Sequence, residues 1–511
     1  MNYRLLAKYL GYLSAALGLL MVPSIGWAVY YQEPQALWGF TISIIACLLI
    51  GGTLGYAGRR AESLMTHREA LSLVGITWFL MALLGALPYI FARELGFVDA
   101  FFESMSGFTT TGSTVIEDIE ATAKSVLFWR SFTQWLGGLG IVVLFIAVLP
   151  YLGAGGKLLF RSETTGPTKR GLQPRIRDTA NYLYRLYIGL TVLQLLLLIV
   201  AGMEPYDAAC TTFSTLSTGG FSPQQESIAA YESPLIEWII IFFMAAGGVN
   251  FVLYFAFLRG TWGTMFRDTE FRAYALIMVA ATLLITANLA GLRSSADYIR
   301  EEAQTGGFEG AHYEGIEELV FPLGESFRLA AFQAVSVMTT TGFATSDFDV
   351  WPHFSRMLLV VLMLIGGCGG STAGGFKVAR AVILLKMAYW RLERTFRPKT
   401  VHVVRLSDQV IDEDVQSRIS GFLVLYLLWF LVGTLIMSAY GLPFATATTA
   451  VITTLNNVGP GLELVGANMD FAFIPAPGKL FLALCMVVGR LEIFTICVLF
   501  MPSFWRSRWT H

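Results

Sequence analysis

Four short polar segments, each ending in glycine, interrupt the long apolar stretches of this 511-residue sequence. Non-helical backbone at membrane depth is tolerated only when it is enclosed by protein or lines a wet cavity. Glycine permits the positive φ that turns successive carbonyl groups inward, where they can replace the water shell of a cation. That shell must offset a desolvation cost on the order of 20 kcal/mol. The segments are Thr109-Thr110-Thr111-Gly112, Leu216-Ser217-Thr218-Gly219, Thr339-Thr340-Thr341-Gly342 and Asn456-Asn457-Val458-Gly459.

A single segment of this kind is most simply a polar loop that caps a helical hairpin. Four copies in matched surroundings instead predict one cation-binding site that is built from four turns. Each copy follows a short amphipathic run and precedes a long apolar segment. The fourth copy departs from the threonine-rich pattern, and we expect the side chains of Asn456 and Asn457 to support the turn rather than contact an ion.

A glycine-rich stretch, with six glycines in the ten residues 366–375, is the second unusual feature. Each glycine costs about 1 kcal/mol relative to alanine inside a helix, so the stretch predicts a broken helix with a flexible loop beneath the turns. A phosphate-binding loop is the alternative, but the spacing does not fit GxxxxGK(S/T) and the surroundings are apolar. The glycines are Gly366, Gly367, Gly369, Gly370, Gly374 and Gly375.

Arg490 lies inside the last apolar segment of the chain. An arginine at mid-membrane costs at least about 2.5–3.5 kcal/mol, so it is expected to face a cavity and to have a function. The alternative is a side chain that reaches the cytoplasmic interface, near Arg506 and Arg508. Glu492 is not on the same helical face and is not expected to pair with it. Lys377, which follows the glycine-rich stretch, is either an interface anchor or part of a gate.

The composition places these segments in a membrane protein. Hydrophobic residues make up 55% of the chain and charged residues 14%, with a mean hydropathy of +0.61, whereas soluble domains carry about 25% charged residues. The net charge of −1, without basic clusters among aromatic residues, gives no sign of a nucleic-acid partner. The cysteines and histidines show no disulfide or metal spacing, so no cofactor is predicted in this chain. We find no nucleophile, acid–base pair or metal cluster, and predict that the chain is not an enzyme.

The elements that position the four turns are predicted from the lengths of the apolar segments. A spanning helix needs about 20 apolar residues, and the run before each turn has about half that length, which predicts a re-entrant pore helix. Each unit then has a spanning helix, a pore helix, a turn and a second spanning helix. The second helices are predicted near 125–152, 235–258, 355–386 and 478–501.

The predicted fold class is therefore an all-α integral membrane protein with four pseudo-repeated units around a central pore. Two N-terminal helices precede these units, which gives about ten spanning helices. The predicted boundaries are 1–69 for the N-terminal hairpin and 70–178, 179–268, 269–405 and 406–511 for units one to four.

Arginine and lysine are unevenly distributed between the predicted loops. Basic residues are concentrated near 59–68, 157–177, 259–272 and 391–405, whereas the long loop 293–325 is mostly acidic. Because cytoplasmic loops carry the excess of basic residues, both termini are predicted in the cytoplasm, and the turns open outward.

Three segments of the chain resemble the Trk/Ktr/HKT superfamily of potassium transporters. Within this superfamily, the chain most resembles the bacterial Trk-H branch. The resemblance rests on Asp99–Thr114, on the glycine-rich segment Gly366–Lys377 and on Val488–Glu492. It extends over essentially the whole chain, and the combination of motifs is highly specific. The two helices before unit one are typical of that branch.

The resemblance implies potassium uptake across the bacterial inner membrane, with K⁺ as the transported ion and the four turns as a selectivity filter. In this family a serine in place of the first filter glycine is associated with sodium permeation. Here all four positions are glycine, which implies potassium: Gly112, Gly219, Gly342 and Gly459. A Na⁺-permeant member, or a symporter coupled to Na⁺ or H⁺, is the alternative. The resemblance also implies that the glycine-rich loop obstructs the pore and that Arg490 forms an electrostatic barrier below the filter.

The partners are implied by the resemblance alone. It implies a homodimer in membrane lipid, and a cytoplasmic ring of nucleotide-binding regulatory subunits of the RCK or KTN type docked on the basic loops. This chain has no nucleotide-binding motif, so any dependence on a nucleotide would belong to that partner.

Overall fold

A computed structural model of the chain describes residues 1–61, 65–152, 172–258, 260–290, 322–398, 403–407 and 409–506. Regular structure in these residues is helical apart from one short antiparallel pair, β1, Arg405–Leu406, and β2, Gln409–Val410. The acidic loop predicted at 293–325 and the basic segment predicted at 157–177 lie largely outside the described residues. The predicted all-α membrane class is confirmed.

The N-terminal hairpin consists of α1, Tyr3–Leu20, α2, Val22–Tyr30, and α3, Pro34–Gly58. Glycines let the backbones of α1 and α3 approach closely, since a Cβ at Gly11 would lie 2.7 Å from the carbonyl oxygen of Gly51. The carboxylate of Glu33 ties the hairpin to unit one, because it accepts hydrogen bonds from the backbone amides of Lys124 and Ser125, at 2.7 Å and 3.1 Å.

The four predicted units are present as sets of helices. Unit one contains α4, His67–Gly85, α5, Leu87–Phe91, the pore helix α6, Phe97–Phe108, and α7, Lys124–Leu152. Unit two contains α8, Leu172–Val200, the pore helix α9, Pro205–Leu216, α10, Pro234–Gly247, α11, Phe251–Leu258, and α12, Trp262–Arg267. Unit three contains α13, Thr269–Ala290, the pore helix α14, Leu323–Met338, α15, His353–Ile365, and α16, Val378–Phe396. Unit four contains α17, Glu413–Ala439, the pore helix α18, Phe444–Asn456, α19, Ala476–Arg490, α20, Ile493–Leu499, and α21, Pro502–Arg506.

The pore helices are short because their sequences start and stop them sharply. They contain 12, 12, 16 and 13 residues, fewer than the roughly 20 that cross a membrane. Helix α9 begins at Pro205, and Pro322 and Pro443 immediately precede α14 and α18. Asp99 and Asp207 lie in the first turns of α6 and α9, where a negative charge is favoured by the helix dipole. The lengths agree with the predicted re-entrant pore helices.

The second helix is continuous in unit one and interrupted in the other three units. Helices α10 and α11 meet at a bend of 97°, and Leu491 and Glu492 separate α19 from α20. The predictions of continuous helices at 235–258 and 478–501 are therefore wrong, whereas the predicted interruption in unit three is present. In unit two the backbone groups at the bend are hydrogen bonded to the glycine-rich loop. The backbone amide of Cys368 donates to the Gly248 carbonyl at 2.9 Å, and the backbone amide of Phe251 donates to the Gly370 carbonyl at 3.1 Å.

The second helices share a sequence pattern that relates the four units. A glycine in each lies close to the end of its own pore helix or to the glycine-rich loop, and the next residue is glycine in three units and Arg490 in the fourth. The aligned segments are Gln134-Trp135-Leu136-Gly137-Gly138, Met244-Ala245-Ala246-Gly247-Gly248, Met363-Leu364-Ile365-Gly366-Gly367 and Met486-Val487-Val488-Gly489-Arg490.

Six helices in the described part of the chain are long and apolar enough to cross a membrane, or seven if α10 and α11 form one span. Their outer faces carry exposed apolar side chains, such as Leu427, Leu431 and Leu435 of α17. The core lies around the pore helices, where Phe332 and Ala334 of α14 are fully buried. The predicted unit boundaries at 70, 179, 269 and 406 stay predictions.

Candidate functional site

The four glycine-containing turns have the same backbone conformation. In each, the second and fourth residues have positive φ, and the amide of the third residue donates to the carbonyl five residues earlier in the pore helix, at 2.8–2.9 Å. Positive φ in a residue other than glycine costs roughly 1–2 kcal/mol, so the surrounding contacts must hold these turns in place. The pairs with positive φ are Thr110 and Gly112, Thr218 and Gly220, Thr340 and Gly342, and Asn457 and Gly459. We call the segments 109–112, 217–220, 339–342 and 456–459 turns one to four.

The predicted limits of turn two, 216–219, are wrong by one residue. Leu216 is the last residue of α9, and Gly220 has the φ of +79° that Gly112 and Gly342 share with it. Sequence reasoning missed Gly220 because Gly219 also follows a threonine. The Gly-Phe pair at Gly220 matches the pair that begins at Gly342, and this match could have given the correct register.

The turns contact one another in chain order and close into a ring. The fourth residue of each turn lies against the carbonyl oxygen of the third residue of the next turn. The contacts are Gly112 with Gly219, Gly220 with Thr341, Gly342 with Val458, and Gly459 with Thr111. A Cβ at Gly459 would lie only 2.9 Å from the carbonyl oxygen of Thr111. A Cβ at any of the other three glycines would lie closer still to the carbonyl oxygen of the next turn. Glycine is therefore required in each turn by both φ and space, and the ring places backbone carbonyls of all four units around one axis.

Side-chain hydroxyls support turns one and three from within. The hydroxyl of Thr109 lies 2.8 Å from that of Thr111, and Thr339 and Thr341 are also separated by 2.8 Å. Thr109 and Thr339 each hydrogen bond to a carbonyl of the preceding helical turn, at 2.7 Å and 2.8 Å. All four hydroxyls are fully buried. These contacts hold the two turns in one conformation.

In turn four, asparagines provide the support. The Nδ2 of Asn457 donates to the Thr111 hydroxyl and to the Met486 carbonyl, both at 2.9 Å, so it joins turn four to turn one. The side-chain Nδ2 of Asn456 donates to the hydroxyl of Tyr426 at 2.7 Å. Both asparagines thus bond to protein groups, whereas Oδ1 of Asn457 has no hydrogen-bond partner among the described residues. The expectation that these side chains do not contact an ion stays a prediction.

The glycine-rich loop between α15 and α16 lies against the C-terminal ends of the pore helices. The amide of Gly374 donates to the hydroxyl of Thr340 in turn three at 2.6 Å, and a Cβ at Gly374 would collide with the carbonyl of Asn456. The hydroxyl of Thr372 lies 3.0 Å from the carbonyl oxygens of Leu216 and Gly247. One loop therefore contacts three of the four units directly below the ring.

Arg490 is buried and contacts the same loop. Its Nη1 donates to the carbonyl of Thr372 at 2.7 Å, while Nε and Nη2 have no hydrogen-bond partner among the described residues. Glu492 lies in the break between α19 and α20 and pairs with Arg380 on α16. Lys377 has a φ of +82°, and its Nζ donates to the carbonyl of Ala373 within the loop. The structure thus brings Arg490, Lys377 and the glycines together.

Glu270, at the start of α13, is a loop contact that sequence reasoning missed. Its Oε1 accepts from the amide of Gly369 at 2.6 Å and from that of Ala379 at 3.3 Å. A carboxylate at the first turn of an apolar helix gives only a weak sequence signal, because it is also favoured there by the helix dipole. Glu270 therefore holds the loop at Gly369, and Arg490 holds it at Thr372.

A buried ion pair above the ring was also missed. Arg130 of α7 and Glu103 of α6 are almost fully buried and are joined at 2.6 Å between Nε and Oε1. No group of three or more His, Cys, Asp or Glu residues that could hold a metal occurs in the described part of the chain. The ring itself offers a cation backbone carbonyls and hydroxyls, which suit a hard monovalent ion.

The fold and the ring define the class: a polytopic helical membrane protein whose four pore-loop units surround one axis. Residues 37–507 match the TrkH family, described as a cation transport protein. The chain is 37% identical to the Trk system potassium uptake protein TrkH of Salmonella typhimurium, over 99% of this chain and 100% of that protein. It is 31% identical to the Trk system potassium uptake protein TrkG of Escherichia coli K12, over 99% of each.

The crystal structure of the potassium transporter TrkH from Vibrio parahaemolyticus is also similar, with a TM-score of 0.85 and 33% identity over 99% of this chain and 100% of that one. The chain belongs to the TrkH family of cation transport proteins. This membership confirms the resemblance found in the sequence, and with it the prediction of a multi-pass membrane transporter rather than an enzyme.

Proposed function

We propose that this protein takes up potassium ions across the bacterial inner membrane through the passage that the four turns surround. The observation that carries the proposal is the closed ring, in which each position-four glycine lies against the carbonyl oxygen of the next turn. Carbonyl oxygens arranged in this way can replace the hydration shell of a dehydrated cation. The relatives named above are called potassium uptake proteins, which supports K⁺ as the ion.

The proposed selectivity filter consists of Thr109–Gly112, Ser217–Gly220, Thr339–Gly342 and Asn456–Gly459. All four position-four residues are glycine, so no side chain narrows or displaces the ring. The C-terminal ends of the pore helices lie beside the turns, and the negative end of each helix dipole favours a cation below the filter. This arrangement supports a cation pathway over an anion pathway.

The proposed gate consists of the glycine-rich loop and Arg490. The loop contacts turn three and the pore helices of units two and four, so in this position it lies across the inner end of the passage. Arg490 and Lys377 add positive charge at the same level, which opposes the passage of K⁺. Opening would require the contacts of Thr372 and Gly374 to break.

The proposed assembly is a homodimer with both termini in the cytoplasm, bound there by a ring of nucleotide-binding subunits. The distribution of basic residues supports this orientation. The relatives are named as members of a Trk system, which supports the presence of further subunits. The basic residues of the segment 259–272 and those that follow α16 would face that partner.

Ion flux into liposomes that contain the purified full chain tests the proposal. We expect K⁺ uptake that exceeds Na⁺ uptake under equal gradients and does not require a gradient of a second ion. Equal or greater Na⁺ uptake would favour the Na⁺-permeant alternative. K⁺ uptake that requires a Na⁺ or H⁺ gradient would favour the coupled symporter. Liposomes without protein provide the background, and flux no greater than this background would contradict the proposal.

A further inference from the structure

Turn two lacks the pair of hydroxyls that supports turns one and three, although the Ser217 hydroxyl bonds to the Phe213 carbonyl at 2.7 Å. Its first residue, Ser217, has a hydroxyl, but its third residue is Gly219, so the pair of hydroxyls that spans the other two turns cannot form. Gly219 does not have a positive φ. The backbone would therefore accept a side chain there, and another feature must explain the glycine.

The carboxamide of Gln134 on α7 occupies the missing space. Its Nε2 donates to the carbonyl of Gly219 at 2.6 Å, and its Oε1 accepts from the amide of Phe221 at 3.1 Å. A Cβ at Gly219 would lie 2.6 Å from Oε1 and closer still to the carboxamide carbon. Gln134 is fully buried, so these two bonds cannot be replaced by water from bulk solvent.

Arg130, one helical turn earlier on α7, holds the next part of the same segment. Its Nη1 donates to the carbonyl of Ser222 at 3.0 Å, and its guanidinium lies 3.6 Å from the ring centre of Phe221. Glu103 fixes Arg130 at 2.6 Å and also accepts from the amide of Val115, just beyond turn one, at 2.9 Å. The segments that follow turns one and two are thus both hydrogen bonded to the Glu103–Arg130 ion pair.

This support is specific to unit one. At the position of Gln134 the other three units have Met244, Met363 and Met486, all fully buried. None of these methionine side chains can donate to a carbonyl. Gln134, the one carboxamide among these four aligned positions, therefore lies beside turn two, whose third residue is Gly219 and has no side chain.

We propose that Gln134 is a positioning residue for the filter, and that it sets the orientation of the Gly219 carbonyl and with it the selectivity for K⁺. The inference rests on the proposed function. The Gly219 carbonyl belongs to the ring and lies against Gly112 of turn one. Without Gln134 this carbonyl and the Phe221 amide would be buried without partners, and turn two would sample other conformations. Selectivity depends on where the carbonyls lie, whereas folding depends mainly on the helices around them.

The test compares K⁺ and Na⁺ permeability in liposomes that contain the full chain or its variants. Gln134→Met preserves the side-chain volume and gives unit one the residue of the other units. We expect the K⁺/Na⁺ permeability ratio to fall about tenfold, the effect of losing one buried hydrogen bond to a carbonyl. Gln194→Met is the matched control, because Gln194 is equally buried on α8 and its Oε1 and Nε2 have no hydrogen-bond partner among the described residues. Its ratio should equal that of the unchanged chain.

A paired variant tests the compensation directly. Gly219→Thr alone should lower the ratio, because the new side chain meets the carboxamide of Gln134. Gly219→Thr combined with Gln134→Ala should recover most of the ratio, since the hydroxyl can then pair with Ser217 as in turns one and three. Thermal unfolding and the amount of reconstituted protein are measured for each variant.

Three results would overturn the inference. The first is a folded Gln134→Met variant with the ratio of the unchanged chain. The second is a folded paired variant no better than Gly219→Thr alone. The third is failure of both Gln134→Met and the paired variant to fold, which would assign Gln134 to folding. If the unchanged chain itself shows no preference for K⁺, the proposed function fails, and this outcome is distinct from the other three.

Discussion

The guanidinium of Arg490 donates a hydrogen bond of 2.7 Å to the carbonyl oxygen of Thr372. This bond joins α19 of unit four to the glycine-rich loop of unit three. The hydroxyl of Thr372 in turn lies 3.0 Å from the carbonyl of Leu216, at the end of the pore helix of unit two. The positive charge of Arg490 and the position of the glycine-rich loop are therefore linked at Thr372. A substitution of Arg490 should change both the charge below the ring and the position of the loop.

Arg490→Ala should raise basal K⁺ flux in the absence of any partner protein. At about 5 Å and an effective dielectric constant of roughly 20, a fixed charge opposes K⁺ by about 3 kcal/mol, a rate factor of roughly 10². The substitution removes this repulsion together with the bond that holds the loop at Thr372. Flux into liposomes is measured at matched protein content.

Arg356→Ala is the control for the preceding prediction, because it removes an arginine that pairs with Asp349 at 3.1 Å and lies in the first turn of α15, ten residues before Gly366. Its basal flux should match that of the unchanged chain. A folded Arg490→Ala variant whose flux is unchanged or lower would show that the arginine is a structural anchor.

Glu270→Ala should also raise basal flux, because it releases the loop. The substitution removes the acceptor for the amides of Gly369 and Ala379. A buried donor without its partner costs about 1–3 kcal/mol, so the population with a displaced loop should rise by roughly tenfold. Glu270→Gln keeps an oxygen acceptor and should have a smaller effect in the same flux assay. Equal flux in all three proteins would mean that Glu270 does not restrain the loop.

Gly112→Ser and Gly220→Ser should each lower the K⁺/Na⁺ ratio. Both glycines have positive φ, and a Cβ at either would collide with the carbonyl of the next turn. Gly202→Ser is the matched control, because Gly202 has a φ of +98° but no neighbouring atom within 4 Å of a new Cβ. It should show similar backbone strain with an unchanged ratio. An unaltered ratio in the first two variants would exclude the ring as the filter.

Labelling with a membrane-impermeant thiol reagent should distinguish the two sides of the protein. Glu120 is exposed in the segment between turn one and α7, and Gly263 is exposed on α12. We expect Glu120→Cys to be labelled from outside intact cells and Gly263→Cys only after the membrane is permeabilised. The unchanged chain, in which four of the five cysteines are buried, gives the background. The opposite pattern would reverse the proposed orientation.

The sequence by itself determined that the chain is a helical membrane protein, which segments form pore helices, where the glycine-rich loop lies and, to within one residue, where the turns lie. These features are local. The length of an apolar run decides whether a helix can cross the membrane, and proline or glycine starts and stops it within a few residues. The repetition of the polar turns also made a shared site predictable, since one unit alone cannot complete a cation shell.

The tertiary structure decided the register of turn two and the interruptions of the second helices. Gly219 and Gly220 both follow Thr218, and the positive φ of Gly220 together with its contact with Thr341 identifies it as the fourth residue of the turn. The pair Gly137-Gly138 lies inside the continuous helix α7, whereas Gly247-Gly248 lies at a bend of 97°. The same dipeptide has two outcomes because the glycine-rich loop supplies hydrogen-bond partners for the freed backbone of unit two. A break at membrane depth is stable only where such partners exist, and they come from residues more than a hundred positions away in the chain.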